Sequence, residues 1–248
     1  MEEAFLGIPI LNRLDLLSRC LTAIDHPAEV VVVNNNATDP SFAAELERLI
    51  AERSAVGDAV RVRVVHQTRN LGVAASWNLI LRTGLASGRE SVVIGSNDTF
   101  LNPGSLAAAQ AGAPDVQIGH LCAWNFFLVR KAAVEAVGWF DENFYPAYKE
   151  DQDYSYRCKL AGAKRAVVKG AGGEHVGSAT IRSDERYRRL NRETHGRNGR
   201  YYREKWGGDV GQERFVRPFD HADKDVRWWP DPGESVAARD WDRPDGPA

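Results

Sequence analysis

A run of four valines, Val30 to Val33, is the feature that most constrains the fold of this chain. β-branched residues without polar alternation predict a strand that is covered on both faces, as in a parallel sheet. Other short apolar runs alternate along the chain with stretches of helical periodicity. We predict strands at 5–10, 30–33, 60–65 and 91–95, and helices at 14–24, 42–53 and 73–85. This order predicts an α/β fold with an open, mostly parallel central sheet and helices on both faces.

The second half of the chain predicts a smaller subregion beside this sheet. We expect a strand at 121–129, a helix at 131–137, a helix at 151–161 ending at Gly162, a strand at 165–168 and a long polar helix at 183–206. From residue 207 the chain is rich in Asp, Pro, Gly and Trp and lacks periodicity. We therefore predict one domain over 1–206 and an irregular tail over 207–248, which packs on the body through Trp228, Trp229 and Trp241.

Composition narrows the functional classes. The net charge of -2 gives no general reason to expect a nucleic-acid partner. The 3 cysteines are widely spaced, which argues against a disulfide framework and favours a reducing, cytoplasmic setting. The acidic N-terminus does not resemble a signal peptide, and we expect no transmembrane segment. The sequence also lacks the glycine-rich phosphate loops and the Gly-x-Ser-x-Gly elbow of other common enzyme classes.

Ligands of open parallel sheets bind where the strands end. The residues that follow the predicted strands are Asn12, Asn34 to Asp39, Arg69 and Asn70, and Ser96 to Thr99. Asn12 could instead cap the helix that follows it. Asp98 could hold a divalent cation, because hard cations prefer oxygen ligands, or it could be an ordinary turn residue.

Two further groups have both a chemical and a structural interpretation. Glu150 and Asp151 begin a helix, where acidic side chains interact well with the helix dipole, but either could also remove a proton from a hydroxyl group. Asp153 would point elsewhere on the same helix. His175 lies among glycines, which indicates close backbone approach, and it could be a metal ligand or merely exposed.

The segment from Arg182 to Lys205 is rich in arginine with interleaved acidic residues. It could bind pyrophosphate or a polyanion, nucleic acid included, or it could be a solvated helix, which is the interpretation that we favour for most of these arginines.

Taken in order, these fragments resemble the family 2 glycosyltransferases, which are inverting enzymes of the GT-A fold. The likeness extends from about Phe5 to Trp206. Its fragments are residues 8–13, 31–39, 69–72 with Asn78, 96–99, 137–142, 150–153, 175–180 and 205–207.

The resemblance implies a role for each fragment. Residues 1–99 would form the nucleotide-sugar-binding half and residues 100–206 the acceptor and catalytic half. Asp151 would be the catalytic base, with Glu150 beside it, and Trp139 and Phe140 would flank the acceptor. Asp98 and His175 would bind Mn²⁺ or Mg²⁺ under the diphosphate. The donor would be held by Pro9, Asn12, Asn34, Asn36, Arg69, Asn78 and Asn97.

The chain also departs from the family pattern. Asn34 stands where the family usually has an aspartate that reads the base, and Leu11 stands where an aromatic residue is common. Ser96 and Asn97 replace further carboxylates, which leaves Asp98 alone in the metal motif.

The resulting hypothesis is a metal-dependent inverting transfer of a hexose or deoxyhexose from a UDP- or dTDP-linked donor to a glycan, lipid-linked or protein acceptor. Two alternatives stay open: a non-catalytic module that binds nucleotide sugars or glycans, and a nucleic-acid-associated protein that uses the arginine-rich segment. A homo-oligomer is also possible.

Overall fold

The computed structural model describes residues 3–36, 38–54, 59–177 and 185–228. The strands are β1 (Ala4–Ile10), β2 (Ala28–Asn34), β3 (Val60–His66), β4 (Ser91–Gly95), β5 (Thr99–Leu101), β6 (Ile118–Cys122), β7 (Phe126–Arg130), β8 (Arg165–Val167) and β9 (Gly173–His175). The helices are α1 (Leu14–Thr22), α2 (Pro40–Ser54), α3 (Gly72–Ala86), α4 (Ser105–Gln110), α5 (Lys131–Val137), α6 (Glu150–Ala161) and α7 (Glu185–Trp206), and a short 3-10 helix spans Pro218–Asp220.

Seven strands form the central sheet, in the order β3-β2-β1-β4-β7-β6-β8. Strands β1 to β4 are mutually parallel, as predicted, while β7 is antiparallel to both of its neighbours. Strands β5 and β9 form a separate antiparallel pair. The prediction of an α/β fold with a mostly parallel central sheet is therefore confirmed.

The four valines show why both faces of this sheet are covered. Val30 and Val32 belong to a core that the sheet shares with α1, α2 and α4. Val31 and Val33 point to the other face and belong to a core shared with α3, α5 and α6. Successive strand residues point to opposite faces, so a continuous valine run requires apolar partners on both sides.

The single strand predicted over 121–129 is wrong. The chain forms two strands there, β6 and β7, which pair antiparallel with Cys122 opposite Phe126. Ala123 between them has a left-handed φ of 46°, which permits the tight reversal. The run is apolar on both sides of the turn because both strands are buried, so hydrophobicity alone did not reveal the break.

One edge of the sheet, here called the carboxyl edge, is where β1, β2, β3 and β4 end. The pairing of Gly95 with Phe126 places the β6–β7 turn at this edge, and β5 follows β4 directly. Helix α3 starts here, and Val73 at its beginning donates a 2.7 Å hydrogen bond to the carbonyl of Pro146. The segment before α6 therefore reaches the carboxyl edge too.

Helix α7 is fixed to the body by a buried charged network. Lys205 Nζ lies 2.7 Å from Asp141 Oδ2 and 2.7 Å from Asp153 Oδ1, and all three side chains are 0% exposed. Arg157 Nε donates to Asp153 Oδ2 at 2.8 Å and Trp206 Nε1 donates to Asp153 Oδ1 at 2.8 Å. Asp153 thus belongs to a buried network of ion pairs and hydrogen bonds, in agreement with the expectation that it points away from Asp151.

The beginning of the tail packs against this region. Trp228 lies edge-on to Phe219 with ring centroids 5.4 Å apart, and Lys205 Nζ lies 5.6 Å from the Trp228 ring. Trp229 and Trp241, the other tryptophans expected to pack there, lie outside the described residues.

Candidate active site

Asp98 and His175 come together at the carboxyl edge although they are far apart in sequence. Strand β9 pairs with β5 so that His175 lies opposite Thr99, and the Val176 amide donates to the Asp98 carbonyl at 3.0 Å. His175 Nε2 lies 3.3 Å from Asp98 Oδ1, with side chains that are 30% and 10% exposed. A mostly buried carboxylate and a more accessible imidazole thus face one another.

This pair fits two neighbouring ligands of one cation. Ligand atoms about 2.0–2.1 Å from an octahedral Mg²⁺ lie about 3.0 Å apart when they are neighbours, close to the distance between these two side chains. In the described part of the chain, no group of three or more His, Cys, Asp and Glu side chains is arranged to hold an ion. Any ion here would therefore need oxygen atoms from a ligand or from water.

Asn97 and Asn12 connect the first and fourth strands at this edge. Asn97 Nδ2 donates to the Asn12 carbonyl at 3.1 Å, which fixes the loop after β1 against the turn before Asp98. The expectation that Asn12 caps α1 is wrong: the N-cap is Arg13, in the left-handed region with φ 63°, and no side chain caps the helix. Arg13 instead pairs with Asp15 at 2.7 Å.

Cys20 lies beneath the same turn. Its thiol donates to the Ser96 carbonyl at 3.6 Å, and burial together with the Asp98 charge raises its pKa to about 12. The thiol therefore stays neutral and acts as a small packing group.

Asn34 is held within the protein at both ends of its amide. Its Oδ1 accepts from the Asn36 amide at 2.9 Å, and its Nδ2 lies 2.9 Å from His66 Nδ1. Asn34 is only 1% exposed, and both ends of its amide are already hydrogen-bonded. Its side chain therefore holds the loop after β2 in place and does not present a free edge to a nucleotide base. Asn36 and Pro9 at the same edge are both partly exposed.

Asn35 was missed by the sequence analysis as an organising residue. Its Oδ1 accepts from the Leu71 amide at 3.0 Å, and its Nδ2 donates to Ser76 Oγ at 2.8 Å. These bonds attach the loop that contains Arg69 to the end of β2, and Arg69 itself is exposed. A polar run after a strand was the available signal, but it did not distinguish which asparagine faces inward.

Two of the expected site residues lie in the interior instead. Asn78 donates to the Phe140 carbonyl at 2.9 Å and to Glu142 Oε1 at 2.9 Å, and it accepts from the Phe140 amide at 2.9 Å. The Phe140 ring is 0% exposed and stacks on Tyr154. The expected contacts of Asn78 with the donor and of Phe140 with the acceptor are therefore corrected: both residues join α3 to the segment before α6.

Trp139 is separated from the carboxyl edge as well. Its ring lies 4.9 Å from the guanidinium of Arg82. Arg82 is ten residues beyond the start of α3, about 15 Å along the helix at 1.5 Å per residue. The structure does not bring Trp139 together with Asp98, His175 and the other residues of the edge.

Glu150 and Asp151 form the first turn of α6 and differ in their surroundings. Glu150 is 6% exposed, and its Oε2 has no hydrogen-bond partner among the described residues. Burial and the neighbouring charge of Asp151 raise the pKa of Glu150 well above its usual range. Asp151 is more accessible; burial raises its pKa, while backbone hydrogen bonds and Lys149 oppose the shift.

Trp124 is an aromatic residue in the turn between β6 and β7, which lies at this edge. The Ser96 amide, two residues before Asp98, donates to the Asn125 carbonyl at 2.7 Å, next to Trp124 in the chain. On its other side the Trp124 ring lies 6.2 Å from Tyr154, one helical turn after Asp151. Trp77 stacks on it at 6.5 Å, and Trp124 is partly exposed. Trp124 is not among the predicted site residues, because the turn that contains it lies within the single strand predicted over 121–129.

The carboxyl edge therefore contains a carboxylate–imidazole pair, and the segment that leads into the Glu150–Asp151 pair reaches the same edge. None of the helices in the described ranges is long and apolar enough to cross a membrane.

Comparison with known proteins finds a family match for the first part of the chain. Residues 6–110 match the sequence model of Glycosyl transferase family 2. A curated Galactofuranosyl glycosyltransferase from Leishmania donovani is 46% identical over 39 residues, which are 16% of this chain and 9% of that protein. The resemblance to family 2 glycosyltransferases is therefore confirmed over this segment, although the chain spans only a small part of the curated relative.

Solved structures show the same fold at low sequence identity. GalNAc-T7, crystallised with UDP, GalNAc and Mn²⁺, has a TM-score of 0.56 at 10% identity, covering 70% of this chain and 43% of its own. A Drosophila β1,4-galactosyltransferase 7 complex with manganese, UDP-Gal and xylobiose has a TM-score of 0.47 at 11% identity, with 75% of each chain covered. The first of these likenesses confirms the GT-A type of fold, and this chain spans less than half of that protein.

Proposed function

Starting from the match to family 2 glycosyltransferases, we propose that this protein transfers a sugar from a nucleotide-diphosphate sugar to an acceptor hydroxyl with inversion, and that it depends on a divalent cation. The observation that supports this most is the carboxyl edge: the Asp98–His175 pair lies there, and the segment that leads into Glu150 and Asp151 reaches the same edge through Pro146. Such a reaction needs a charged site for the leaving group and a base for the acceptor within one cleft.

Residues 1–99 supply most of the proposed donor site. Pro9, Asn36 and Arg69 would contact the nucleotide, while Asn12 and Asn97 hold the loop and turn that flank the diphosphate. Asp98 and His175 would hold Mn²⁺ or Mg²⁺. When bound, the cation neutralises negative charge on the departing diphosphate. The Mn²⁺ and UDP of the GalNAc-T7 crystal make these the first ligands to test here.

Asp151 is the proposed base, and Glu150 is the neighbour that keeps its proton. Paired carboxyl groups in different environments divide into an ionised and a protonated member, and here the more buried Glu150 is the protonated one. Asp151 takes the acceptor hydroxyl proton as the oxygen bonds to the anomeric carbon. The bond from that carbon to the diphosphate oxygen breaks on the opposite face, so the configuration inverts.

Trp124 takes the place that was expected for Phe140 in this proposal. Its ring is partly exposed and lies 6.2 Å from Tyr154 of α6, and the carbonyl of its neighbour Asn125 accepts from the Ser96 amide. We propose that this ring lines the path of the sugar from donor to acceptor. Aromatic faces are frequent linings of such sites because they offer apolar area with little conformational freedom to lose.

The proposal is tested by incubating the protein with Mn²⁺, UDP- and dTDP-linked sugars and a panel of glycan, lipid-linked and protein acceptors. We expect one pair to give product, and we expect Asp151→Asn to slow transfer by about 10²- to 10⁴-fold. Asp209→Asn, on an exposed aspartate paired with Arg203, is the matched control and should leave the rate unchanged. Transfer by Asp151→Asn at the wild-type rate would exclude Asp151 as the base. Donor binding without transfer to any acceptor would favour a non-catalytic module.

A further inference from the structure

The turn before α6 has an unusual backbone. Tyr148 and Lys149 both have φ of 77°, in the left-handed region that residues with a side chain seldom occupy. They directly precede Glu150 and Asp151, and Lys149 is the N-cap of α6 without any side-chain cap bond. Two such residues in succession cost conformational energy, so neighbouring contacts must hold the turn in place.

Those contacts come from α7. Asn198 is 0% exposed, and its Nδ2 donates to the carbonyls of Ala147 at 2.7 Å and Tyr148 at 3.1 Å. Arg197 donates to the Tyr145 carbonyl, and the His195 ring lies 4.6 Å from the Tyr148 ring. One face of α7 therefore holds successive residues of the turn, and the buried network around Lys205 holds α7.

We infer that Asn198 is a positioning residue for Asp151, an inference that rests on the proposed function. By binding two successive carbonyls, the Asn198 amide fixes the peptides on either side of Tyr148 in the left-handed turn. This sets the direction in which α6 begins, and Asp151 is in its first turn. Without the two bonds the turn can relax to an ordinary backbone conformation, and the carboxylate of Asp151 moves relative to the acceptor hydroxyl.

A glycine substitution separates positioning from simple destabilisation. Glycine adopts positive φ at no steric cost, so Lys149→Gly reduces the need for Asn198. Lys149→Gln removes the same charge but keeps the strain, and it is the matched control. The variants are therefore Asn198→Ala, Asn198→Ala with Lys149→Gly, and Asn198→Ala with Lys149→Gln, all in the full chain.

The first measurement is amide hydrogen exchange over residues 145–153, which needs no substrate. The Asp153 amide donates to the Lys149 carbonyl at 2.9 Å and reports on the start of α6. We expect Asn198→Ala to accelerate exchange in this segment, Lys149→Gly to restore protection and Lys149→Gln not to restore it. Unchanged exchange in Asn198→Ala would show that Asn198 does not hold the turn. Asn198→Ser, which keeps one donor, replaces Asn198→Ala if that variant does not fold.

The second measurement is transfer kinetics with the donor and acceptor found for the wild type. We expect Asn198→Ala to lower kcat by about 10- to 100-fold with the KM for the donor nearly unchanged, because a small misplacement of the base affects the chemical step. Lys149→Gly should recover most of this loss and Lys149→Gln none. Faster exchange with an unchanged kcat would overturn the positioning role. If the wild type transfers no sugar at all, both the proposed function and the positioning role fail, while exchange still decides whether Asn198 holds the turn.

Discussion

At the scale of single residues, the first turn of α6 places two carboxyl groups next to each other in different surroundings. Glu150 is 6% exposed, with one oxygen that has no partner among the described residues, whereas Asp151 is more accessible and lies near Lys149. The sequence alone predicted that this pair begins a helix, which explains equally well why acidic residues occur there. Only burial distinguishes Glu150, which we propose keeps its proton, from Asp151, the proposed base.

The pH dependence of transfer follows from the state of Asp151. A base must be ionised to accept a proton, and burial raises the pKa of Asp151 above its usual range. We therefore expect kcat/KM to fall as the pH decreases through this raised pKa, at a higher pH than for an exposed aspartate. A profile of kcat/KM between pH 4 and 8 measures this, and a rate that stays flat down to pH 4 would contradict it.

The pH dependence of the melting temperature of Glu150→Gln tests whether the folded protein raises the pKa of the second carboxyl group. Because the folded protein raises the pKa of Glu150, its stabilising contribution is full at low pH and is lost as the pH rises through the raised pKa. A neutral glutamine of the same shape removes this loss. We expect the melting temperature of Glu150→Gln to exceed that of the wild type at pH 8, by an amount that shrinks towards pH 5. A gain in melting temperature that is equal at both pH values, or greater at pH 5, would show that ionising Glu150 does not destabilise the folded protein.

At the scale of elements, helix α7 has an apolar and charged inner face that its polar sequence did not reveal. Its last turn contains Lys205, which is 0% exposed between two aspartates, and Trp206, which is also buried. Among the described side chains, Arg189, Arg192, Arg200 and Arg203 are exposed, as the interpretation of a solvated helix predicts. The inner contacts depend on residues more than fifty positions away, and periodicity within one helix cannot indicate them.

The buried network predicts that replacing two cationic residues of α7 costs very different amounts of folding free energy. Lys205→Met leaves the carboxylates of Asp141 and Asp153 without their shared partner, and losing one member of a buried ion pair costs about 3–5 kcal/mol. Arg203→Ala removes an exposed pair with Asp209, whose side chains are 47% and 61% exposed, and should cost less than about 1 kcal/mol. Urea denaturation of the two variants measures both values. Equal losses would contradict the structural role of Lys205.

The difference between local sequence patterns and contacts across the chain explains which elements were predicted correctly. Strands β1 to β4 are short runs rich in apolar residues, helices α2, α3 and α5 lie in longer stretches between or after them, and the predicted positions agree with the structure within a few residues. Strands β5 and β9 were missed because three residues show no period, although their pairing brings Asp98 and His175 together. The family resemblance implied a metal role for Asp98 and His175, but the proximity of these two side chains depends on a contact between distant parts of the chain.

At the scale of the whole molecule, both halves of the chain contribute to one sheet. Strand β7 from the second half pairs with β4 from the first, and β9 returns to β5 beside the end of β4. The proposed donor and acceptor sides are thus joined at the turn between Gly95 and Thr99. This connection would allow the proposed base on α6 and the proposed cation site beside β5 to serve one reaction.

We propose that Asp98 and His175 hold a cation which binds the diphosphate of the donor. The most direct test is the melting temperature of the wild type with UDP, with and without Mn²⁺, since a ligand that binds only the folded state stabilises it. We predict that UDP raises the melting temperature of the wild type only when Mn²⁺ is present. Asp98→Ala and His175→Ala should each lose most of this shift, while Asp209→Asn should keep it. An equal shift without Mn²⁺ would show that UDP binds without the cation, and an undiminished shift in Asp98→Ala would show that Asp98 does not hold it.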